Sequence, residues 1–161
     1  MKQIKFIFFL SMLLGVVSCD LTDPPAIEGV ALEEMTGEWW VTFTVDGEDI
    51  YGIGYNIITT YNTAANNTTE MWLDDLEHTW SFKLRTPVNP ETLSFGGSGL
   101  SEQYYDITAT VTNGVITKGN TETTGGNMTD GISFDVEFSD DAGTIYHVEG
   151  YRRTGFQEDE H

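Results

Sequence analysis

Positive charge is the scarcest commodity in this chain. Its 161 residues include seven Lys and Arg against 26 Asp and Glu, a formal net charge of −19. A nucleic-acid binder must neutralise phosphates with Lys and Arg, so that class of partner is excluded. The single cysteine, Cys19, excludes an internal disulfide framework. Three histidines (His78, His147 and His161) are too few and too scattered for a helical HExxH zinc site. The acids Asp46, Glu48 and Asp49, or Asp140 and Asp141, do not match the spacing of an EF-hand loop and read as solvated turns. Nothing points to a metal or a cofactor. No segment sustains ten residues of helical periodicity, and nothing repeats at a fixed interval, which excludes a solenoid or propeller. What the chain does have is aromatic and β-branched: four Trp, seven Tyr, nine Phe and 22 Thr favour a sheet protein.

The first nineteen residues read as an address. Lys2 and Lys5 precede Phe6 to Val17, an apolar run of twelve residues. A bilayer span takes about 20 residues, so this run is too short for one and fits a signal-peptide core. It ends in Val16-Val17-Ser18-Cys19, which resembles a bacterial lipobox, with Cys19 as the acylated residue. Removal of residues 1–18 takes two basic residues with it and leaves a net charge of −21. Residues 19–35 then form an acylated Cys and tether, stiffened by Pro24 and Pro25. The expected location is the outer membrane or cell surface of a Gram-negative bacterium, with the membrane engaged through the acyl anchor.

From Gly37 onward the apolar pattern has period two, the signature of strands. Trp39, Val41, Phe43 and Val45 alternate with polar positions after Trp40, and Asp46-Gly47 supplies a turn. Ile50 to Tyr61 is a second run, with Gly52 and Gly54 marking a bend. Glu70 to Leu76 and Thr79 to Arg85 form a hairpin whose second arm places Trp80, Phe82 and Leu84 on one face. Pro87 and Pro90 break that run, Thr92 to Phe95 is a short strand, and Gly96 to Gln103 is a loop. Tyr104 to Thr112 alternates again, Asn113-Gly114 reads as a hairpin turn, and Val115 to Gly119 returns. Ile132, Phe134, Val136 and Phe138 share the next face, and Thr144 to Arg153 is the last strand. Eight or nine antiparallel strands without helices predict an up-and-down β-barrel over residues 36–156, followed by an acidic tail over 157–161.

Gly37-Glu38-Trp39 opens the first strand and Arg152 lies in the last. This resembles the lipocalin arrangement, in which a Gly-x-Trp closes one end of the barrel and an Arg stacks on the Trp. Arg152 shares parity with Tyr146 and Val148, so it, rather than Arg153, is the inward residue. Trp40, Tyr51, Tyr55, Trp72, Trp80 and Tyr105 are the candidates to line a ligand cavity. No catalytic constellation emerges. Gly96-Gly97-Ser98-Gly99-Leu100 departs from the G-x-S-x-G elbow at its last position, and no helix follows it. Asp74, Asp75, Glu77 and His78 read as a charged hairpin connection rather than acid–base groups.

Three stretches together resemble a family of small Bacteroidetes lipoproteins described as lipid-binding putative hydrolases. They are Tyr61-Asn62-Thr63-Ala64-Ala65, Glu70-Met71-Trp72-Leu73-Asp74-Asp75 and the ending Gly150-Tyr151-Arg152-Arg153-Thr154-Gly155-Phe156 with Glu158-Asp159. The resemblance runs from about residue 33 to the C-terminus and implies a secreted lipoprotein with a lipocalin-like, or calycin-like, barrel. Three function classes follow. The first is a lipid-anchored binding protein holding a small apolar or lipid-like ligand. The second is a surface accessory protein that binds glycan or another outer-membrane protein. The third is the hydrolase of the family description.

Overall fold

The computed structural model describes residues 29–161. Cys19, the apolar run before it and most of the tether lie outside the described residues. Eight strands form one closed antiparallel barrel in simple up-and-down order: β1 (Gly37–Thr44), β2 (Asn56–Asn62), β3 (Glu70–Asp74), β4 (Lys83–Asn89), β5 (Ser94–Ser101), β6 (Thr108–Glu122), β7 (Met128–Phe138) and β8 (Tyr146–Arg152). Each strand pairs with its successor, and β1 pairs with β8 from Trp39 opposite Arg152 to Thr44 opposite His147. Closure leaves no unpaired edge. This is the all-β, lipocalin-like architecture expected, with eight strands.

The period-two pattern is what fills the interior. Trp39, Val41 and Phe43 of β1 point inward, as do Met71 and Leu73 of β3 and Ile132, Phe134, Val136 and Phe138 of β7; all are buried. On β6 the inward set changes parity, from Ala109 and Val111 to Gly114 and Ile116. The cause is a bulge. Asn113 takes a left-handed conformation (φ 56°), and the β6–β7 register slips between Thr112 and Val115. One extra residue restores the same face to the core. Asn113-Gly114 is therefore not a hairpin turn but an irregularity inside a strand of 15 residues. An alanine Cβ at Gly114 would collide with the Phe95 carbonyl, so the neighbouring strand also demands glycine there.

Other boundaries shift for comparable reasons. The Ile50 to Tyr61 run is strand only from Asn56, because Gly52 and Gly54 adopt positive φ and the Asp49 carboxylate collects the Ile53 and Gly54 N–H groups (3.2 and 2.8 Å). The Gly96 to Gln103 stretch is strand β5 up to Ser101, held against β6 with two register shifts that its glycines permit. Pro87 lies within β4, opposite Glu70, with its ring exposed. The missing N–H is bypassed where Val88 N–H donates to Thr69 O (3.0 Å).

One end of the barrel is sealed. A 3-10 turn (Glu33–Met35) crosses it and buries Leu32 and Met35 against the core. Trp39 Nε1 donates to Thr60 Oγ1 (2.9 Å), which donates in turn to the Met35 carbonyl (2.7 Å). The Arg152 guanidinium lies 4.8 Å over the Trp39 ring, packs against Gly37 and meets Asp130 at 3.0 Å. The residues after β8 fold back over the outside of this end, where a 3-10 turn (Gln157–Asp159) buries Asp159 completely. The Asp159 carboxylate accepts from Thr123 and Thr154 hydroxyls (both 2.5 Å), Gly125 N–H (3.0 Å) and Asn127 Nδ2 (3.1 Å), clamping the β6–β7 connection. The segment read as a polar tail is thus a strap with a buried carboxylate.

Candidate functional site

The opposite end is open. There the β1–β2, β3–β4, β5–β6 and β7–β8 connections surround a cavity of about 420 Å³. Its walls are Tyr51, Trp80, Phe82, Tyr105, Ile107, Phe138 and Tyr146, with Ser81, Glu102, Asp140 and Asp141 as the polar groups. A cavity of this size, in which aromatic rings and four polar side chains converge, is a common form of small-molecule site.

Most wall residues are positioned by a strand or by a carboxylate. Phe138 and Tyr146 flank the β7–β8 connection and stand on inward positions. Trp80 meets Phe43 edge-on at 5.2 Å, Tyr51 at 5.6 Å and Tyr146 at 4.9 Å, joining the cavity wall to the packed core below. Tyr146 donates its hydroxyl to Asp141 Oδ2 (2.6 Å) and lies 3.3 Å from the Tyr51 hydroxyl. Burial, then the hydrogen bonds to Asp141 and Tyr51, push the Tyr146 phenol far above its ordinary value. It remains a neutral donor at any physiological pH.

Two buried carboxylates shape the loops around the mouth. Asp75 accepts from the N–H groups of Glu77 and Phe82 at Oδ1 (3.0 and 2.9 Å). Its Oδ2 accepts from the N–H groups of Thr79 and Ser81 (3.1 and 3.0 Å) and from the Thr79 hydroxyl (2.5 Å). Glu102 accepts from Lys83 N–H (2.9 Å), Tyr104 N–H (2.7 Å) and Tyr105 N–H. Asp75 takes five donors and Glu102 three, and through them both fold the connections that present Trp80, Ser81 and Tyr105. Sequence reading missed Glu102 altogether. A lone acid after a Gly/Ser-rich strand carries no signal of a partner 19 residues away.

The six candidate lining residues divide evenly. Tyr51, Trp80 and Tyr105 line the cavity. Trp40, Tyr55 and Trp72 do not, because each faces outward. Trp40 and Tyr55 are covered by the C-terminal strap: His161 stacks on Tyr55 at 4.0 Å and meets Trp40 edge-on at 5.2 Å. Trp72 alternates with the inward Met71 and Leu73, and its ring carries the Lys83 ammonium at 5.1 Å, with Tyr61 at 5.2 Å from the same nitrogen. Lys83 also pairs with Asp74 at 3.1 Å. Burial alone would raise Asp74, but the Tyr61 hydroxyl, the Leu76 N–H and Lys83 hold its carboxyl below the usual range. Asp74 and Asp75 are therefore committed structural acceptors. Gly37, Trp39 and Arg152 meet at the sealed end as described.

The cavity lining contains no histidine, and its acidic side chains are Glu102, Asp140 and Asp141. The pair His147 Nδ1 and Asp135 Oδ1 (2.7 Å) sits on the outer face of β7 and β8, and His147 Nε2 faces Glu149 at 3.6 Å rather than a hydroxyl. Ser98 lies on β5 beside Thr110 (3.4 Å), with no turn into a helix. Among the described residues, no group of three His, Cys, Asp or Glu is arranged to hold a metal ion.

No curated protein sequence matches the chain. A family model does, over residues 24–157. The chain belongs to the family described as lipid-binding putative hydrolase.

Proposed function

We propose that the protein is a lipid-anchored binding protein of the cell envelope that holds the apolar part of a small amphiphile in the open end of its barrel. The observation that carries this reading is the division of the barrel into a solid half and a hollow one. Below Phe82, Phe138 and Tyr146 the interior is packed, and above them lies a cavity of about 420 Å³ walled by aromatic rings. Burying an apolar chain there stabilises the complex by roughly 25 cal/mol per Å² of apolar surface removed from water. A volume of about 420 Å³ suits a short chain or one end of a longer lipid. Trp80 in its wall reports occupancy. Mass spectrometry of material extracted from the purified protein, with fluorescence titration by short-chain amphiphiles, tests the reading. An interior that yields no ligand and a Trp80 signal that never moves would overturn it. The anchor is tested separately: Cys19→Ala should release the protein from the membrane fraction.

A second reading, a contact with glycan or another envelope protein, is favoured by the rim. Ile50, Tyr51, Leu76, Tyr104, Tyr105 and Ile145 are exposed, and all lie on the four connections at the open end. Acrylamide quenching separates the two. The four tryptophans are buried or half-buried, and ligand binding in the cavity shields Trp80, whereas a rim contact leaves its accessibility unchanged.

A further inference from the structure

Acids stand at both ends of the barrel, but at the open end the connections hold them without a basic residue. The four connections at the open end (45–55, 75–82, 102–107 and 139–145) contain nine Asp and Glu and no Lys or Arg. The three connections at the sealed end (63–69, 90–93 and 123–127) contain a single acid, Glu91; the segments that cover that end add Glu33, Glu34, Glu158, Asp159 and Glu160, there accompanied by the basic Arg152, Arg153 and Lys118. The cavity itself repeats the bias: its polar lining includes Glu102, Asp140 and Asp141, and no basic side chain.

The basic residues are committed elsewhere. Lys83 follows Phe82, a wall residue, yet turns outward onto Asp74 and the Tyr61 and Trp72 rings. Arg85 pairs with Glu70, Lys118 with Glu34 and Asp130, Arg152 with Asp130, and Arg153 with Glu38 and Glu160. No described Lys or Arg is left to meet an anionic head group at the mouth.

We propose that the open-end cavity selects amphiphiles with a cationic head group, a primary or quaternary ammonium, over those with a carboxylate. The proposal rests on the apolar-ligand reading above and names the ligand class for that cavity. Aromatic rings attract a cation electrostatically, and more strongly when the cation sheds water. Tyr51, Trp80, Tyr105 and Tyr146 supply such rings within one cavity, and Asp140 and Asp141 stand at its edge. A carboxylate head would instead meet three like charges at close quarters. The acidic connections extend the preference outward, because a mouth of one sign concentrates counter-ions before contact.

The test compares three amphiphiles with the same decyl chain, decyltrimethylammonium, decyl maltoside and decanoate, each below its micellar concentration, titrated into the full-length protein with Trp fluorescence as readout. The ammonium compound should bind about tenfold more tightly than decanoate. That advantage should shrink between ~0.02 and ~0.5 M salt. In the double variant Asp140→Asn, Asp141→Asn the preference of ammonium over maltoside should collapse toward parity. Decanoate binding as tightly as the ammonium compound overturns the proposal while leaving the apolar-ligand reading in place. Failure of all three to bind removes that reading and this one with it. An ammonium preference that persists in the double variant assigns no role to the carboxylates and also overturns the proposal.

Discussion

The Arg152 guanidinium lies 4.8 Å above the Trp39 indole, joining the last strand of the barrel to the first. The same side chain meets Asp130 at 3.0 Å, so it ties β8, β7 and β1 together at the sealed end. Arg152→Ala removes the stack and leaves a partly buried Asp130 with one cation fewer. It should lower stability by about 2 kcal/mol in urea denaturation and red-shift Trp emission. Arg153 is exposed, so Arg153→Ala should cost clearly less. The reverse order would mean that the wrong arginine has been placed over the indole.

Asp75 is buried and takes five hydrogen bonds, four of them from backbone N–H groups. Asp75→Ala leaves those donors without a partner and should cost ~3 kcal/mol or more. Because the residue folds the connection that carries Trp80, the near-ultraviolet spectrum should change even where the barrel survives. A variant with native stability and an unaltered Trp80 environment would show that the connection does not depend on the carboxylate.

At Gly150 a Cβ would overlap the Trp40 carbonyl across the β1–β8 seam. Gly150→Ala should therefore destabilise by about 3 kcal/mol or more, or prevent folding. Gly143, with φ 95° and no atom near its would-be Cβ, provides the comparison: Gly143→Ala should cost only the left-handed backbone strain, about 1 kcal/mol. Equal losses in the two variants would deny the seam its special closeness.

Asp135 raises the His147 pKa above its ordinary value through their hydrogen bond, and the burial that opposes this does not cancel it. Asp135 is itself held below the ordinary carboxylate value by His147, so the pair's contribution is fully present between pH ~4 and ~6.5, and it is lost as pH rises through the elevated His147 pKa or falls through the depressed Asp135 pKa. Asp130 and Asp74 share the acid-side behaviour of Asp135. Their partners hold them below the ordinary carboxylate value, so their contribution is present above pH ~4 and is lost as pH falls through the depressed pKa. His147 ring resonances followed by NMR should titrate late, and Asp135→Asn should bring the midpoint back down. An unmoved midpoint in that variant would place the cause elsewhere.

Truncation after Phe156 removes the strap that covers Trp40, Tyr55 and Tyr151. Acrylamide should then quench Trp fluorescence more strongly, and the β6–β7 connection, freed from Asp159, should lose amide protection. Unchanged quenching would mean that Trp40 is shielded without the strap.

Much of this architecture was written in the period of the apolar residues. Alternation in β1 and β7 fixed which side chains enter the core, and Gly37, Trp39 and Arg152 marked the end that is sealed. The same alternation also held the answer for Trp40 and Trp72, which sit between inward neighbours and so must face out. Aromatic character alone argued for the cavity and was overruled by parity. Asn113-Gly114 misled for a different reason. Local chemistry asks only for positive φ, which a turn and a bulge both satisfy, and the choice is made by β5 and β7 on either side. Asp75, Glu102 and Asp159 were illegible as buried acids: backbone N–H groups hold the first two, and two hydroxyls, an amide and one N–H hold the third, sets of donors that no residue pattern announces.

Closing the seam has a kinetic consequence. Every other pairing in the barrel joins neighbours in the chain, across connections as short as four residues, whereas β1 meets β8 only after the six intervening strands are laid out. Loop closure over that length comes late, so hairpins should form first and the Trp39–Arg152 contact last. Until that moment two strand edges remain open to other chains, and the stack that later seals the barrel decides how long the polypeptide stays vulnerable to aggregation.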